Sequence, residues 1–186
     1  MPLLDTRQNQ DLTGTLIADI VLQLTEGTTY DAQVTSVKKG TAGRPGQLMG
    51  TVTDPESTGI IEKNTDRGIF GNVTRSATTE PLPLADRDAV RTGAATIRST
   101  IDGNCVQEYS VEIMKIYPNA KSKSRNMLLK VTDPQLLEAT GGIVQGMSGS
   151  PIIQDGKLIG AVTHVLVNDP TTGYGIFIEN MLDAAA

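Results

Sequence analysis

Polar and apolar residues alternate along several short stretches of this chain, a pattern typical of β-strands with one buried face. The alternation is clearest at residues 30–38, 93–101 and 106–116. Apolar runs of strand length predict further strands at residues 14–24 (one strand or a pair), 47–53, 60–61, 68–73, 127–131, 152–165 (a pair) and 174–178.

Turn signals separate these strands. Asp102-Gly103 and Asp155-Gly156 are typical of hairpin turns. Residues 38–47 hold three glycines and a proline, which predicts a loop, and residues 54–59 are predicted as a further turn. The turns therefore divide the chain into many short strands.

One short helix is predicted at residues 133–140. Asp133 is placed to cap its N-terminus, and Pro134 is suited to the first helical position. Gly141 and Gly142 end the helix. The tail from Leu182 onwards is predicted to be frayed or helical.

About a dozen short strands in two groups predict an all-β fold of two small β-barrels of the chymotrypsin-like serine protease type, with the active site between them. Residues 74–88 are polar and carry prolines, so they are interpreted as the connection. The predicted domains are residues 1–85 for the N-terminal barrel and 86–186 for the C-terminal barrel. A single β-sandwich is the structural alternative.

Composition narrows the classes of function. The 186 residues are 38% hydrophobic and carry a net charge of −5, which is ordinary for a globular protein without a nucleic-acid surface. The basic stretch at residues 121–125 is interpreted as a solvated loop. No apolar run reaches the length of a membrane span, and the N-terminus lacks a signal-peptide pattern. One His and one Cys predict no metal site, and no cofactor is expected; Cys105 is expected to be a partly buried structural thiol.

The sequence QGMSGSP at residues 145–151 is the strongest candidate for chemistry. It predicts a nucleophilic serine, Ser148, on a glycine-flanked turn that enters a strand. The backbone N–H groups of Gly146 and Ser148 are expected to form an oxyanion hole. Ser150 is the rival nucleophile, but the following Pro151 favours an extended strand start there.

The strand after this turn carries the only histidine, His164. The order expected for the chymotrypsin architecture is His, Asp, Ser, so a general-base role for His164 requires a permuted triad. We therefore predict that Thr163, His164 and Val165 line the substrate cleft. Asp133 lies 15 residues before Ser148 and has two readings, a helix cap or an acid that orients a histidine.

Residues 140–182, with VTDPQLLEATGG at 131–142 and the segments YDAQVTSVKKGTAGRPGQ and DRGIFGNV, resemble the sporulation stage IV protein B (SpoIVB) peptidases. The resemblance implies a chymotrypsin-like serine peptidase with Ser148 as nucleophile and Asp133 as triad acid. The family histidine shortly precedes an Asp-Thr pair that matches Asp5-Thr6, so it would fall just before Met1.

The resemblance also implies a membrane segment and a PDZ domain upstream, and a location between the two membranes around the forespore. It implies cleavage of a protein substrate in sporulation signalling. Without the upstream histidine, the peptidase activity of this chain is expected to be very low, since loss of a triad histidine lowers the rate by on the order of 10⁶. The alternatives are a catalytically silent module that binds peptide, and a β-sandwich in which QGMSGSP is only a turn.

Overall fold

The computed structural model describes the backbone of residues 2–4 and, with side chains, residues 27–74, 81–119 and 124–186. Its strands are β1 Pro2–Leu4, β2 Gly27–Lys38, β3 Gln47–Thr65, β4 Gly68–Val73, β5 Gly93–Thr100, β6 Val106–Ile116, β7 Met127–Val131, β8 Pro151–Gln154, β9 Lys157–Leu166 and β10 Asp169–Phe177. The helices are a 3₁₀ turn at Arg87–Ala89, α1 Pro134–Thr140 and α2 Ile178–Ala185. The strand predicted at residues 14–24 lies outside the described residues.

The described strands form two units. Strands β1 to β4 make a four-stranded sheet in chain order, and β5 to β10 close into a barrel in the order β10-β7-β6-β5-β8-β9. The all-β, chymotrypsin-like fold class is thereby confirmed. The division into residues 1–85 and 86–186 stays a prediction.

The main core fills the closed barrel. Its fully buried side chains come from alternate positions of the strands, as the sequence pattern predicts, and they include Ile97, Tyr109, Ile113, Leu129, Ile152 and Phe177. With no tryptophan in the chain, aliphatic residues supply most of this core. The barrel therefore gives a rigid base to the loops that leave its ends.

The prediction of a turn at residues 54–59 is wrong, because strand β3 continues through these residues. Tyr30 pairs with Ser57 and Ala32 with Val52, so an advance of two residues along β2 corresponds to five residues along β3. The Asp54 side chain accepts a hydrogen bond from the Glu56 N–H at 2.9 Å. The turn-forming residues therefore produce a bulge and not a reversal, since both sides of the bulge remain paired with the same strand.

The predicted helix is confirmed with its ends. Asp133 caps α1, Pro134 is its first residue, and Gly141 ends it with φ of 75°. Helix α2 begins at Ile178, four residues before the predicted tail. No helix in the described ranges is long and apolar enough to cross a membrane.

Backbone hydrogen bonds join the sheet to the barrel at several places, including Val34 and Leu48. Val34 of β2 and Gly103 exchange two backbone hydrogen bonds of 3.0 and 3.1 Å. Near the start of β3, the Leu48 N–H donates to the Gln145 carbonyl at 2.8 Å, and the Gln145 N–H donates to the Gly46 carbonyl at 2.9 Å. The N-terminal sheet thus contacts the segment that leads directly into QGMSGSP.

Candidate active site

The segment around Ser148 is a tight turn held by its own backbone. The Met147 N–H donates to the Val144 carbonyl at 3.1 Å, and the Ser150 N–H donates to the Met147 carbonyl at 3.0 Å. The Met147 side chain is fully buried in the barrel core. This buried anchor fixes the turn, while Ser148 itself is exposed.

Glycines make the turn possible. Gly146 has φ of 98° and Gly149 has φ of 89°, a region that side chains with a Cβ rarely adopt. A Cβ on Gly146 would also lie 3.1 Å from Leu48 Cβ, so glycine lets the N-terminal sheet approach closely. Both the backbone shape and the contact with the sheet therefore require glycine at position 146.

The two N–H groups expected to form an oxyanion hole, those of Gly146 and Ser148, make no hydrogen bond to any described residue. Their neighbours are engaged: the Gly149 N–H donates to the Val162 carbonyl at 2.8 Å, and Met147 and Ser150 bond within the turn. The fold thus leaves these two donors available to a ligand.

The hydroxyl of Ser148 is held by strand β9. Ser148 Oγ donates a hydrogen bond to the Thr163 carbonyl at 3.1 Å. Tyr174 pairs with His164 and Gly175 with Val162, which leaves Thr163 as the extra residue of a β-bulge. Because the bulge takes Thr163 out of the pairing with β10, its carbonyl is free to face the serine.

The side chain of Thr163 stabilises this bulge. Its Oγ1 lies 2.8 Å from the Ser124 carbonyl and 3.2 Å from the Tyr174 carbonyl, within donating distance of both. Ser124 and Tyr174 belong to segments on the far side of β9 from the serine turn. Thr163 therefore connects the serine to the segment that precedes β7.

Asp133 caps helix α1, and its carboxylate accepts three backbone hydrogen bonds. Its Oδ1 accepts from the N–H groups of Gln135 and Leu136, each at 3.0 Å, and its Oδ2 accepts from the Ser110 N–H at 3.2 Å. The structure places no hydrogen bond between Asp133 and a described residue of the serine turn. Burial raises the pKa of the Tyr109 hydroxyl, and the negative charges of Asp133 and Asp102 add to this rise. The role of Asp133 as a triad acid stays a prediction.

His164 lies one residue beyond the contact with Ser148. It is exposed and pairs with Tyr174, and its imidazole makes no hydrogen bond to Ser148. Partial burial lowers the pKa of His164, and the positive charge of Arg125 lowers it further. Val165, the third residue expected to line the cleft, pairs with Gly173 and packs against the barrel core.

Sequence patterns did not identify Arg125 and Tyr174 as residues of the candidate site, although both lie beside β9. The Arg125 guanidinium lies over the ring of Tyr174, 5.6 Å from its centre. Arg125 belongs to the basic stretch interpreted as a solvated loop, and Tyr174 was only one residue of a predicted strand. No local signal links them to Ser148, because the link passes through the bulge at Thr163.

Cys105 is exposed, so the expectation of a partly buried thiol is wrong. It lies in the short connection after Gly103, which runs across the surface to β6. Among the residues with described positions, no group of three His, Cys, Asp or Glu side chains is placed to hold a metal ion.

Comparison with known proteins agrees with this architecture. The family model described as SpoIVB peptidase S55 matches residues 13–182. The active form of the Rv3671c protease from M. tuberculosis is similar in structure, with a TM-score of 0.51 and 16% identity over 84% of this chain and 72% of that chain. Its inactive form gives a TM-score of 0.49 and 12% identity, covering 86% of each chain. No curated protein matches the chain.

Proposed function

Because this chain belongs to the SpoIVB peptidase S55 family, we propose that it is a serine endopeptidase domain in which Ser148 is the nucleophile. The observation that carries the proposal is the exposed Ser148 hydroxyl, held by the Thr163 carbonyl on a turn with two unused N–H groups.

In the proposed reaction, Ser148 Oγ attacks the carbonyl carbon of a peptide bond as a base removes its proton. The carbonyl oxygen becomes an oxyanion, which the N–H groups of Gly146 and Ser148 stabilise. Collapse of the tetrahedral intermediate expels the amine, which takes up the proton, and leaves an acyl-enzyme that water hydrolyses. The substrate is a protein or peptide lying along β9.

The base is proposed to come from sequence preceding Met1. Strand β1 pairs antiparallel with β2, with Pro2 opposite Asp31 and Leu4 opposite Thr29. Chain continuing upstream in this register would run past Val34, which is bonded to Gly103 at the barrel. Ile97 of β5 pairs with Ile152 of β8, so the residues after β5 run toward the serine turn. Upstream sequence following this path would approach Ser148, which supports the proposal.

Asp133 is the proposed orienting acid for that base. Three backbone N–H groups donate to its carboxylate and hold the side chain in place. The sporulation substrate and the location between the membranes around the forespore, expected from the family resemblance, belong to the same proposal.

A silent peptide-binding module is the second candidate, because Ser148 has no imidazole partner among the described residues. The two candidates differ in reactivity toward a fluorophosphonate and toward peptides. We expect residues 1–186 alone to react slowly with both, since a serine without a base is a weak nucleophile. A polypeptide extended upstream through a Gly-His motif should react on the order of 10⁶ times faster.

Ser148→Ala should abolish the activity of the extended polypeptide, while Ser150→Ala, at the rival nucleophile, should retain serine labelling. His164→Ala should leave the fluorophosphonate reaction of the extended polypeptide largely intact. An extended polypeptide that stays unreactive would support the silent module. Fast hydrolysis by residues 1–186 that disappears in His164→Ala would make His164 the base.

A further inference from the structure

A chain of contacts leads from the serine to Arg125. Ser148 Oγ donates to the Thr163 carbonyl, and Thr163 Oγ1 lies 2.8 Å from the Ser124 carbonyl. Arg125 is the next residue, and its guanidinium lies over the ring of Tyr174. The arginine is therefore fixed beside β9, two contacts from the proposed nucleophile.

Arg125 has no carboxylate partner within the described ranges. Other arginines of the barrel are paired: Arg87 with Glu179, Arg91 with Asp155, and Arg98 with Glu108. Arg125 is exposed, and its position is fixed by an aromatic ring instead. An aromatic platform holds a guanidinium in one orientation without neutralising its charge.

His164 belongs to the same surface. It pairs directly with Tyr174, and directly opposite residues of an antiparallel pair project their side chains to the same face. The Arg125 guanidinium lies over the ring of the same Tyr174, and its charge lowers the pKa of His164 after the larger effect of burial. A cation and an N–H donor therefore converge beside the residue that contacts the serine.

We propose that Arg125, Tyr174 and His164 form a subsite that binds the carboxylate of an Asp or Glu side chain in the substrate. The guanidinium offers two parallel N–H donors to the two carboxylate oxygens, a geometry that an ammonium group lacks. A peptide extended along β9 would place this acidic residue within about three positions of the cleaved bond, at about 3.3 Å per residue. The subsite rests on the proposed peptidase function, whose substrate class it specifies.

Peptide binding by Ser148→Ala protein tests the subsite without requiring catalysis. Two pools of random octapeptides, acetylated and amidated at their ends, would differ only in Asp and Glu against Asn and Gln. Retained peptides would be counted by mass spectrometry. We expect the acidic pool to be retained about tenfold better at low salt, which is the effect of one charge-assisted hydrogen-bonded pair.

Arg125→Gln in the same protein should bring the two pools to nearly equal retention, and Arg125→Lys should restore only part of the preference. The matched control is Arg91→Gln. This substitution removes an exposed arginine that pairs with Asp155, in the turn between β8 and β9, and it should keep the preference for the acidic pool. Equal retention of both pools, no retention of either, or an unchanged preference in Arg125→Gln would overturn the subsite.

Cleavage of the two pools by the upstream-extended polypeptide separates this inference from the proposed function. Retention of the acidic pool without cleavage dependent on Ser148 would refute the peptidase and leave the carboxylate subsite. Cleavage dependent on Ser148 without preference for the acidic pool would refute the subsite and leave the peptidase.

Discussion

Thr163 shows how a single side chain sets the geometry of the candidate site. Its Oγ1 contacts the carbonyls of Ser124 and Tyr174, while its own carbonyl accepts from Ser148. Thr163→Val keeps the branched shape but removes the hydroxyl. We expect the free energy of unfolding, measured by urea denaturation, to fall by about 1 kcal/mol.

Thr35→Val is the matched control. Thr35 Oγ1 also donates to a backbone carbonyl, that of Met49 at 3.2 Å, but at an exposed position where water can replace the bond. Its loss should leave the stability nearly unchanged. Equal effects of the two substitutions would show that the hydroxyl of Thr163 does not stabilise the bulge.

His164 should titrate below the ordinary histidine value of 6.5, because burial and then Arg125 lower its pKa. The unfolded chain would then bind this proton at a higher pH than the folded one. The stabilising contribution is therefore fully present above pH 6.5 and is lost as the pH falls through the lower pKa of the folded state.

Proton NMR of the imidazole measures this pKa directly. Arg125→Gln should raise the pKa of His164 toward its ordinary value, because burial then acts alone. Arg91→Gln should leave it unchanged, since Arg91 pairs with Asp155 before the start of β9. A pKa at or above 6.5 in the unsubstituted protein would contradict the environment described for His164.

Asp133 caps helix α1 and is also the proposed triad acid. Asp133→Ala removes the acceptor for the N–H groups of Gln135 and Leu136, so we expect a loss of about 1 kcal/mol in the free energy of unfolding. Asp133→Asn retains an amide oxygen that can cap the helix, and should cost less. Urea denaturation of the three proteins measures the cap alone.

Activity of the upstream-extended polypeptide then separates the cap from the proposed acid. If the charge of Asp133 orients a histidine, Asp133→Asn should lower kcat by on the order of 10⁴ while the helix stays folded. Normal kcat in Asp133→Asn would leave Asp133 as a cap only.

Where the halves of the structure meet, Gly46 leaves no room for a side chain. A Cβ at this position would overlap Val144 Cγ1 and the backbone of Lys38 and Gly40. Gly46→Ala should therefore lower the free energy of unfolding by about 1–3 kcal/mol, the usual cost of overpacking. It should also speed hydrogen exchange at Leu48 and Gln145, whose N–H groups bond across the junction.

Gly43→Ala is the comparison within the same loop. Gly43 has φ of 78° and open space around it, so its substitution strains the backbone without pressing on the barrel. It should leave exchange at Gln145 unchanged. Faster exchange at Gln145 in both variants would mean that the junction responds to general loss of stability and not to the contact at Gly46.

The sequence by itself determined the elements whose signals are local. Alternation identified β2, β5 and β6 because a strand buries every second residue. Helix α1 could be predicted with both ends, because its cap and its terminal glycine lie within a few residues of it. The turn at Ser148 could be predicted because its glycines permit a backbone that other residues avoid.

The tertiary structure decided the features that depend on contacts between segments distant in the sequence. Residues 54–59 carry turn chemistry, yet pairing with β2 keeps β3 continuous, because ladder bonds on both sides of the bulge outweigh the local preference. The contact of Ser148 with Thr163 needs a register shift between β9 and β10, and the position of Arg125 needs Tyr174 beneath it. Register is a property of two strands together, so a single stretch of sequence does not contain it.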